Sequence, residues 1–180
     1  MKALLERVRD RVRARYSLLY LLTHEEERLE RHLRRLGKDE QLPVLRWRST
    51  EGLLGPTGEA MPDTESARAA LEAVSARTEP GLVLLMDFHR ELEDPWVLRR
   101  LRDLEPVLGQ RRQALLIVSP VLRLPRELDK ELVLLDVPLP GRDEVRRLLA
   151  ALLKARKQKL SSDLLERFVQ ASLGLTEKEI

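Results

Sequence analysis

Short apolar runs and amphipathic segments alternate along most of the chain. Runs rich in Leu, Val and Ile have the continuity of strands that are buried on both faces of a sheet. They occupy residues 17–22, 43–48, 82–86, 114–119 and 132–137. Between most of them, apolar residues recur every three or four positions, as on the buried face of a helix. These helical segments are residues 1–14, 25–36, 64–77 and 95–105. Strands that alternate with helices predict a five-stranded parallel sheet covered on both faces.

The pattern changes after residue 137. The sequence PLPG at 138–141 is followed by helical periodicity alone, in segments 142–154 and 162–173. We therefore predict an α/β domain over 1–140 and a smaller helical subdomain over 141–180. Thr176 and Glu179 have the spacing of a capping box, which begins a helix, so we interpret this polypeptide as a piece of a longer one.

The predicted α/β domain has the layout of a three-layer P-loop NTPase. In such folds a ligand binds where the strand order reverses. We therefore predict that the first strand lies centrally, between the third strand (82–86) and the fourth strand (114–119).

The loop that would hold nucleotide phosphates is missing. In a P-loop the first strand leads into GxxxxGK[ST], whose free N–H groups surround the phosphates. Here the residues after the first strand are THEEE, with neither glycine nor lysine. Thr23 and Glu26 instead predict a capping box, and glutamates in the first helical turn would repel a triphosphate. We expect no bound cofactor and no ATPase activity in this chain.

Two polar residues at strand ends keep positions that carry chemistry in related folds. Asp87 ends the third strand like a Walker B aspartate, but Phe88 stands where a glutamate would activate water. Ser119 ends the fourth strand at the position of a γ-phosphate sensor. Without a phosphate site, a loop anchor at Asp87 and a turn residue at Ser119 are the simpler interpretations. His24 and His89 follow neighbouring strands, yet no third zinc ligand is indicated.

The Gly- and Pro-rich stretch 52–62 is predicted to be an exposed loop. The loop at 49–62 carries Leu53, Leu54 and Met61, so we consider it a candidate interaction surface, together with Asp87 and Phe88. The alternative is that these apolar side chains fold back onto the helix at 64–77.

Charge and composition add a second hypothesis. The net charge is +3, with basic clusters at 7–15 and 154–159, so a nucleic-acid-binding module is an alternative function. Solvated helix faces are the simpler interpretation of the same clusters, because we identify no stacking aromatic residues interleaved with the charges. Cysteine is absent, which excludes disulfides and thiolate chemistry. No long apolar run or leader-like segment occurs, so we expect a cytoplasmic protein without membrane contact.

Several segments together resemble one family. They are THEEER, WRSTEGL, LVLLMDFHREL, DPWVLRRLRDL, LLIVSPVLRLPREL and LLDVPLPGRDEV. The chain resembles the amino-terminal half of the bacterial and plastid-encoded AAA ATPases known as a hypothetical chloroplast reading frame. The segment VPLPGRDEV is also similar to the AAA transition into the helical lid, which assigns 141–180 to a truncated lid.

The resemblance implies that ATP is bound by a different part of the parent protein. In that family a degenerate AAA module precedes an intact one, so Mg-ATP would be bound by a following part of the parent chain. Asp87 would be a vestigial Walker B residue and Ser119 a vestigial sensor. Arg123 and Arg126 lie where AAA proteins place arginine fingers, so they become candidate interaction residues. The implied partners are the protein's own C-terminal AAA domain, other protomers and possible protein partners.

Overall fold

A computed structural model describes all 180 residues as alternating strands and helices followed by two further helices. The helices are α1 (Lys2–Arg13), α2 (Glu26–Glu40), α3 (Ala67–Ala76), α4 (Pro95–Gln110), α5 (Arg142–Ala155) and α6 (Ser162–Ala171). The strands are β1 (Leu18–Leu22), β2 (Val44–Arg48), β3 (Gly52–Leu54), β4 (Ala60–Met61), β5 (Gly81–Met86), β6 (Gln113–Ser119) and β7 (Leu132–Asp136). Short 3-10 helices occupy Phe88–Glu93 and Arg126–Leu128.

All seven strands form one sheet in the order β4-β3-β2-β5-β6-β1-β7. Five of them, β2, β5, β6, β1 and β7, run parallel, which confirms the predicted α/β fold class. The two additional strands, β3 and β4, form an antiparallel hairpin next to β2. The prediction that 52–62 is an exposed loop is therefore right only for the hairpin tip: residues 56–60 are exposed, whereas Gly52 and Leu53 are buried strand residues. Strands of three and two residues are too short to show a periodic pattern.

The position of β1 in the sheet is partly as predicted. β1 pairs with β6 on one side, as expected, but its other neighbour is β7 and not β5. β5 lies on the far side of β6 and pairs with β2. The prediction missed that the last strand returns to cover the free edge of β1, where unpaired backbone groups would otherwise be exposed.

Each face of the sheet packs against its own helices. Every residue of β5 and β6 is buried, as expected for central parallel strands. Alternate strand residues form one core with α3 and α4, built around Trp47 and Phe88, whose rings meet edge to face with centroids 5.3 Å apart. Residues of the opposite pleat lie towards α2, where Gly37 approaches the side chain of Val44 and the backbone of Leu42.

Two compact units are present. The α/β unit comprises Lys2–Val137, and the helical unit comprises Pro138–Ile180. In the helical unit α5 packs against α6, and Arg142 and Arg146 both donate hydrogen bonds to Glu166. No helix in the chain is sufficiently long and apolar to cross a bilayer.

Candidate functional site

The carboxyl ends of the parallel strands meet at one edge of the sheet, where open α/β folds bind ligands. Leu22, at the end of β1, lies opposite Ser119 of β6 and Asp136 of β7. Met86, at the end of β5, is paired with Val118. The β1–α2 turn and the residues following β5 and β6 therefore form the candidate site.

The β1–α2 turn is closed by its own hydrogen bonds. The Thr23 N–H donates to the Ser119 carbonyl at 2.8 Å, and the Thr23 hydroxyl accepts the Glu25 N–H at 2.9 Å. α2 begins only at Glu26, with Glu25 as its N-cap residue. The predicted Thr23–Glu26 capping box is therefore wrong, because the Thr23 N–H extends the sheet ladder and is not available to Glu26. A serine/threonine turn takes its place.

A buried ion pair lies at this turn. Glu25 and Arg28 are paired at 2.5 Å between Oε2 and Nη1, with side-chain exposures of 5% and 1%. An arginine is rarely this deeply buried unless it is paired with a carboxylate. A P-loop would leave this helix N-terminus open for a phosphate anion. Here a carboxylate and its cation are already enclosed at the start of α2.

Further carboxylates of α2 are paired with arginines of α2 itself and of β2. Glu30 accepts from Arg34 at 2.8 Å and from Arg46 at 3.3 Å, and Glu26 lies 3.7 Å from Arg48. The α2–β2 side of the site is thus a network of paired charges.

Asp87 acts in the structure mainly through its backbone. It has a left-handed conformation with φ of 52°, its N–H donates to the Val118 carbonyl at 2.9 Å, and its carbonyl accepts the Arg90 N–H. The Asp87 carboxylate is 58% exposed and caps no helix through a hydrogen bond. Asp87 therefore turns the chain from β5 into the following 3-10 turn, and its charge lies mostly in water.

His89 and Ser119 form a buried polar pair that the sequence did not indicate. Ser119 Oγ lies 2.8 Å from His89 Nδ1, and the same hydroxyl contacts the carbonyl and N–H of Val121 at 2.7 and 3.2 Å. Burial lowers the pKa of His89, although the Asp87 carboxylate 3.9 Å away acts in the opposite direction. Ser119 is fully buried, so this pair holds the turn after β6 and presents no accessible nucleophile.

Tyr20 holds the same turn from the sheet. Its hydroxyl donates to the Val121 carbonyl at 2.6 Å and accepts the Arg123 N–H at 3.2 Å. The turn exposes the side chains of Val121 and Leu122, at 45% and 49%. The sequence shows Tyr20 only as one member of an apolar run, so this role was not predictable from it.

The candidate interaction residues have different environments. Leu53 is fully buried in the core shared with α3, and its N–H is held by the Thr64 hydroxyl at 2.8 Å. Leu54 and Met61 are half-buried, and Phe88 is fully buried. An exposed interaction surface built on Leu53 and Phe88 is therefore wrong, because both side chains lie in the core. The back-folded alternative holds for the β3–β4 hairpin, which carries Leu53 and Met61 onto the core shared with α3.

The two candidate arginines follow β6. Arg123 is half-exposed and pairs with Glu93, and Arg126 is exposed at the start of the second 3-10 turn. No group of three or more His, Cys, Asp or Glu side chains among the 180 residues is arranged to hold a metal ion. His24 is exposed, whereas His89 is buried against Ser119.

A helix-covered sheet with the parallel order β2-β5-β6-β1-β7, and a strand-to-helix turn at the place of a phosphate loop, defines an AAA module of the P-loop NTPase type. Residues 4–137 match the SpoVK-like AAA ATPase, N-terminal domain family, and the chain belongs to that family.

The relatives and structural neighbours agree with this class. The chain is 30% identical over 172 residues to the uncharacterized AAA domain-containing protein ycf46 of Guillardia theta, and 26% identical over 173 residues to that of Trieres chinensis. Each alignment covers 94% of this chain but only 34% and 35% of those proteins, so the chain spans about a third of their length.

Two solved structures share the fold. A DNA replication initiation factor superposes with a TM-score of 0.57 and 11% identity, covering 97% of this chain and 56% of that chain. The replication initiator DnaA bound to AMPPCP and single-stranded DNA gives a TM-score of 0.50 and 12% identity, covering 92% of this chain and 54% of the other. At such identities the likeness concerns the fold alone.

Proposed function

We propose that this chain is a non-catalytic AAA module that serves assembly, regulation or partner docking in a larger AAA ATPase. The observation that carries the proposal is the buried Glu25–Arg28 pair at the β1–α2 turn. A nucleotide phosphate at that helix N-terminus would have to displace a carboxylate that is already buried there together with its own cation.

The other parts of an ATPase site are missing as well. The turn has no glycine for close backbone approach and no lysine for the phosphates. Position 88, where a glutamate would activate water, carries the buried Phe88. Asp87 alone lacks the phosphate ligands that complete a magnesium site. We infer that this chain uses no cofactor and that Mg-ATP belongs to another part of the longer protein.

Exposed apolar side chains support the docking role. In the helical unit, α5 and α6 border a cleft of about 300 Å³ whose lining includes Leu152, Leu160 and Phe168, with exposures of 45%, 36% and 48%. Apolar clusters of this kind commonly mark contacts with other protein surfaces. We infer that another part of the longer AAA protein or a neighbouring protomer covers this cleft, and that Arg123 and Arg126 form a second contact.

Calorimetry tests the absence of nucleotide binding. Titration of the 180-residue chain with Mg-ATP should give no saturable heat. A dissociation constant in the low micromolar range, about 8 kcal/mol of binding free energy, would contradict the proposal. Repeating the titration at higher salt separates a specific site from diffuse attraction to arginines.

An ATPase assay of the longer protein tests the non-catalytic role. We expect Asp87→Asn to leave turnover unchanged, because the carboxylate serves no phosphate site, and asparagine tolerates the left-handed backbone. Phe168→Ser, which removes the most exposed apolar group of the cleft, should alter assembly or turnover instead. The reverse result, loss of turnover with Asp87→Asn in a folded protein, would make this module catalytic.

A further inference from the structure

The amino edge of the sheet, opposite the candidate site, brings together two arginines in left-handed conformation. Arg15 follows α1 with φ of 67°, and Arg112 follows α4 with φ of 55°. The Arg15 N–H donates to Val12 and the Tyr16 N–H donates to Arg11, at 3.0 and 2.9 Å. These bonds define a Schellman motif whose left-handed position is usually glycine, because a β-carbon is disfavoured there.

Both arginines lie just before adjacent parallel strands. β1 and β6 pair with Leu18 opposite Leu115, and Arg15 and Arg112 each precede one of these paired residues by three positions. Both arginines also flank the last turn of α4, since a β-carbon on Gly109 would lie 2.6 Å from the Arg15 carbonyl oxygen and the Arg112 N–H donates to the Gly109 carbonyl at 3.4 Å.

The cluster at 7–15 divides into paired and unpaired arginines. Arg9 pairs with Asp10, and Arg13 pairs with Glu40 at 2.8 Å, which neutralises both. Arg11 has no carboxylate partner, and its guanidinium lies 5.1 Å from the centre of the Tyr16 ring.

Arg15 and Arg112 are exposed and likewise have no carboxylate partner. Tyr16, beside Arg15 in the chain, is 41% exposed. Unpaired guanidinium groups therefore adjoin an accessible aromatic ring. We call Arg11, Arg15, Tyr16 and Arg112 the arginine edge.

We infer that the arginine edge binds single-stranded nucleic acid. Guanidinium groups hold backbone phosphates in a fork of N–H donors, and an exposed ring gives a base a surface on which to stack. The exposed Tyr16 ring, with the Arg11 guanidinium over it, explains the choice over an acidic protein surface, which needs the positive charges but not a stacking face. This site is separate from the non-catalytic role proposed above and does not depend on it.

Fluorescence anisotropy with a labelled oligothymidylate and the 180-residue protein tests the inference. We expect saturable binding at low salt. Three phosphate contacts on a single strand predict a loss of affinity of about 20-fold between about 50 and 200 mM salt. No saturable binding at low salt would overturn the inference.

Glycine substitutions separate binding from folding. Arg15→Gly and Arg112→Gly remove a charge while introducing the residue that this backbone favours, so each variant should fold at least as stably. Each variant should bind the oligonucleotide about threefold or more weakly than the unmodified protein. Its affinity should also depend less steeply on salt concentration, by the amount expected for the loss of about one phosphate contact.

Lys157→Gly is the matched control. Lys157 follows α5 in the same Schellman geometry, with φ of 54° and N–H groups of Lys157 and Gln158 donating to Lys154 and Leu153. The Lys157→Gly variant also loses one positive charge, here within the basic cluster 154–159. It should bind the oligonucleotide as tightly as the unmodified protein does. If Arg15→Gly and Lys157→Gly weaken binding equally, the attraction is diffuse and the arginine edge is not a site.

Tyr16→Ser tests the stacking contact. Loss of one stacked base should weaken binding by about fivefold or more, with the salt dependence unchanged, because no charge is removed. Polyglutamate serves as the competing polyanion. If it binds as tightly as oligothymidylate and is unaffected by Tyr16→Ser, the surface recognises an acidic protein and the nucleic-acid inference is wrong.

Discussion

The α/β unit buries its apolar side chains, whereas the helical unit leaves most of its own in contact with solvent. Every residue of β5 and β6 is buried. In contrast, α5 and α6 bury only Val145 and Val169 completely, and Phe168 remains 48% exposed.

The difference follows from the number of layers. A sheet between two pairs of helices encloses both faces of each strand, but two helices alone can cover only one stripe of each other. The free energy of folding therefore resides mainly in the α/β unit. The helical unit contributes an apolar surface that is suited to a partner.

The largest expected effect contrasts the two units directly. Trp47 is 1% exposed, contacts Phe88 and donates its indole N–H to the Thr64 carbonyl at 2.8 Å. Trp47→Ala should lower the free energy of unfolding by about 3–5 kcal/mol. Phe168→Ala should change it by less than about 0.5 kcal/mol, because its ring is already half in water. Urea denaturation of both variants measures the contrast, and equal losses would refute it.

A second test compares ion pairs. Arg28→Ala should cost about 3 kcal/mol, because it removes the cation beside the buried Glu25 carboxylate. The pair between Arg142 and Glu166 in the helical unit is partly exposed, so Arg142→Ala should leave the urea midpoint nearly unchanged. A small effect of Arg28→Ala would indicate that water reaches the β1–α2 turn. It would also weaken the proposal that the buried Glu25–Arg28 pair occupies the place of a nucleotide phosphate.

The third test uses pH. Burial lowers the pKa of His89 in the folded state, while its unfolded value is about 6.5. Below about pH 6.5 the unfolded chain therefore binds more protons at this histidine than the folded chain does. The free energy of unfolding keeps its full value above that pH and declines as the pH falls towards the folded pKa of His89. Urea midpoints at several pH values should show this decline, and His89→Gln should flatten it. A histidine variant in the exposed part of the site, His24→Gln, serves as the control.

The smallest expected effect concerns Asp87. Asp87→Asn should change the free energy of unfolding by less than about 0.5 kcal/mol, because the carboxylate is mostly solvated. Asp87→Ala should cost about 1 kcal/mol more, because alanine is strained at positive φ. Equal stability of the two variants would show that the turn after β5 relaxes.

Local patterns predicted the five parallel strands and four of the helices between and before them, because each element carries enough apolar residues to show its period. They failed for the β3–β4 hairpin, whose short strands left Leu53 assigned to an exposed loop although it lies in the core. They also failed at Thr23, whose N–H bonds with Ser119 across the sheet. The three-residue spacing between Thr23 and Glu26 cannot reveal that the Thr23 N–H already donates to a strand that is distant in the sequence.

The sequence by itself determined that the GxxxxGK[ST] pattern does not follow β1, because the absence of glycine and lysine there is a matter of residue identity. It also determined the α/β class, through continuous apolar runs that only a doubly covered sheet can bury. Only the tertiary structure decided the neighbours of β1, the His89–Ser119 pair and the approach of Gly109 to Arg15 at the amino edge of the sheet. These features join residues far apart in the chain, and strand pairing and burial, which bring such residues together, leave no local pattern.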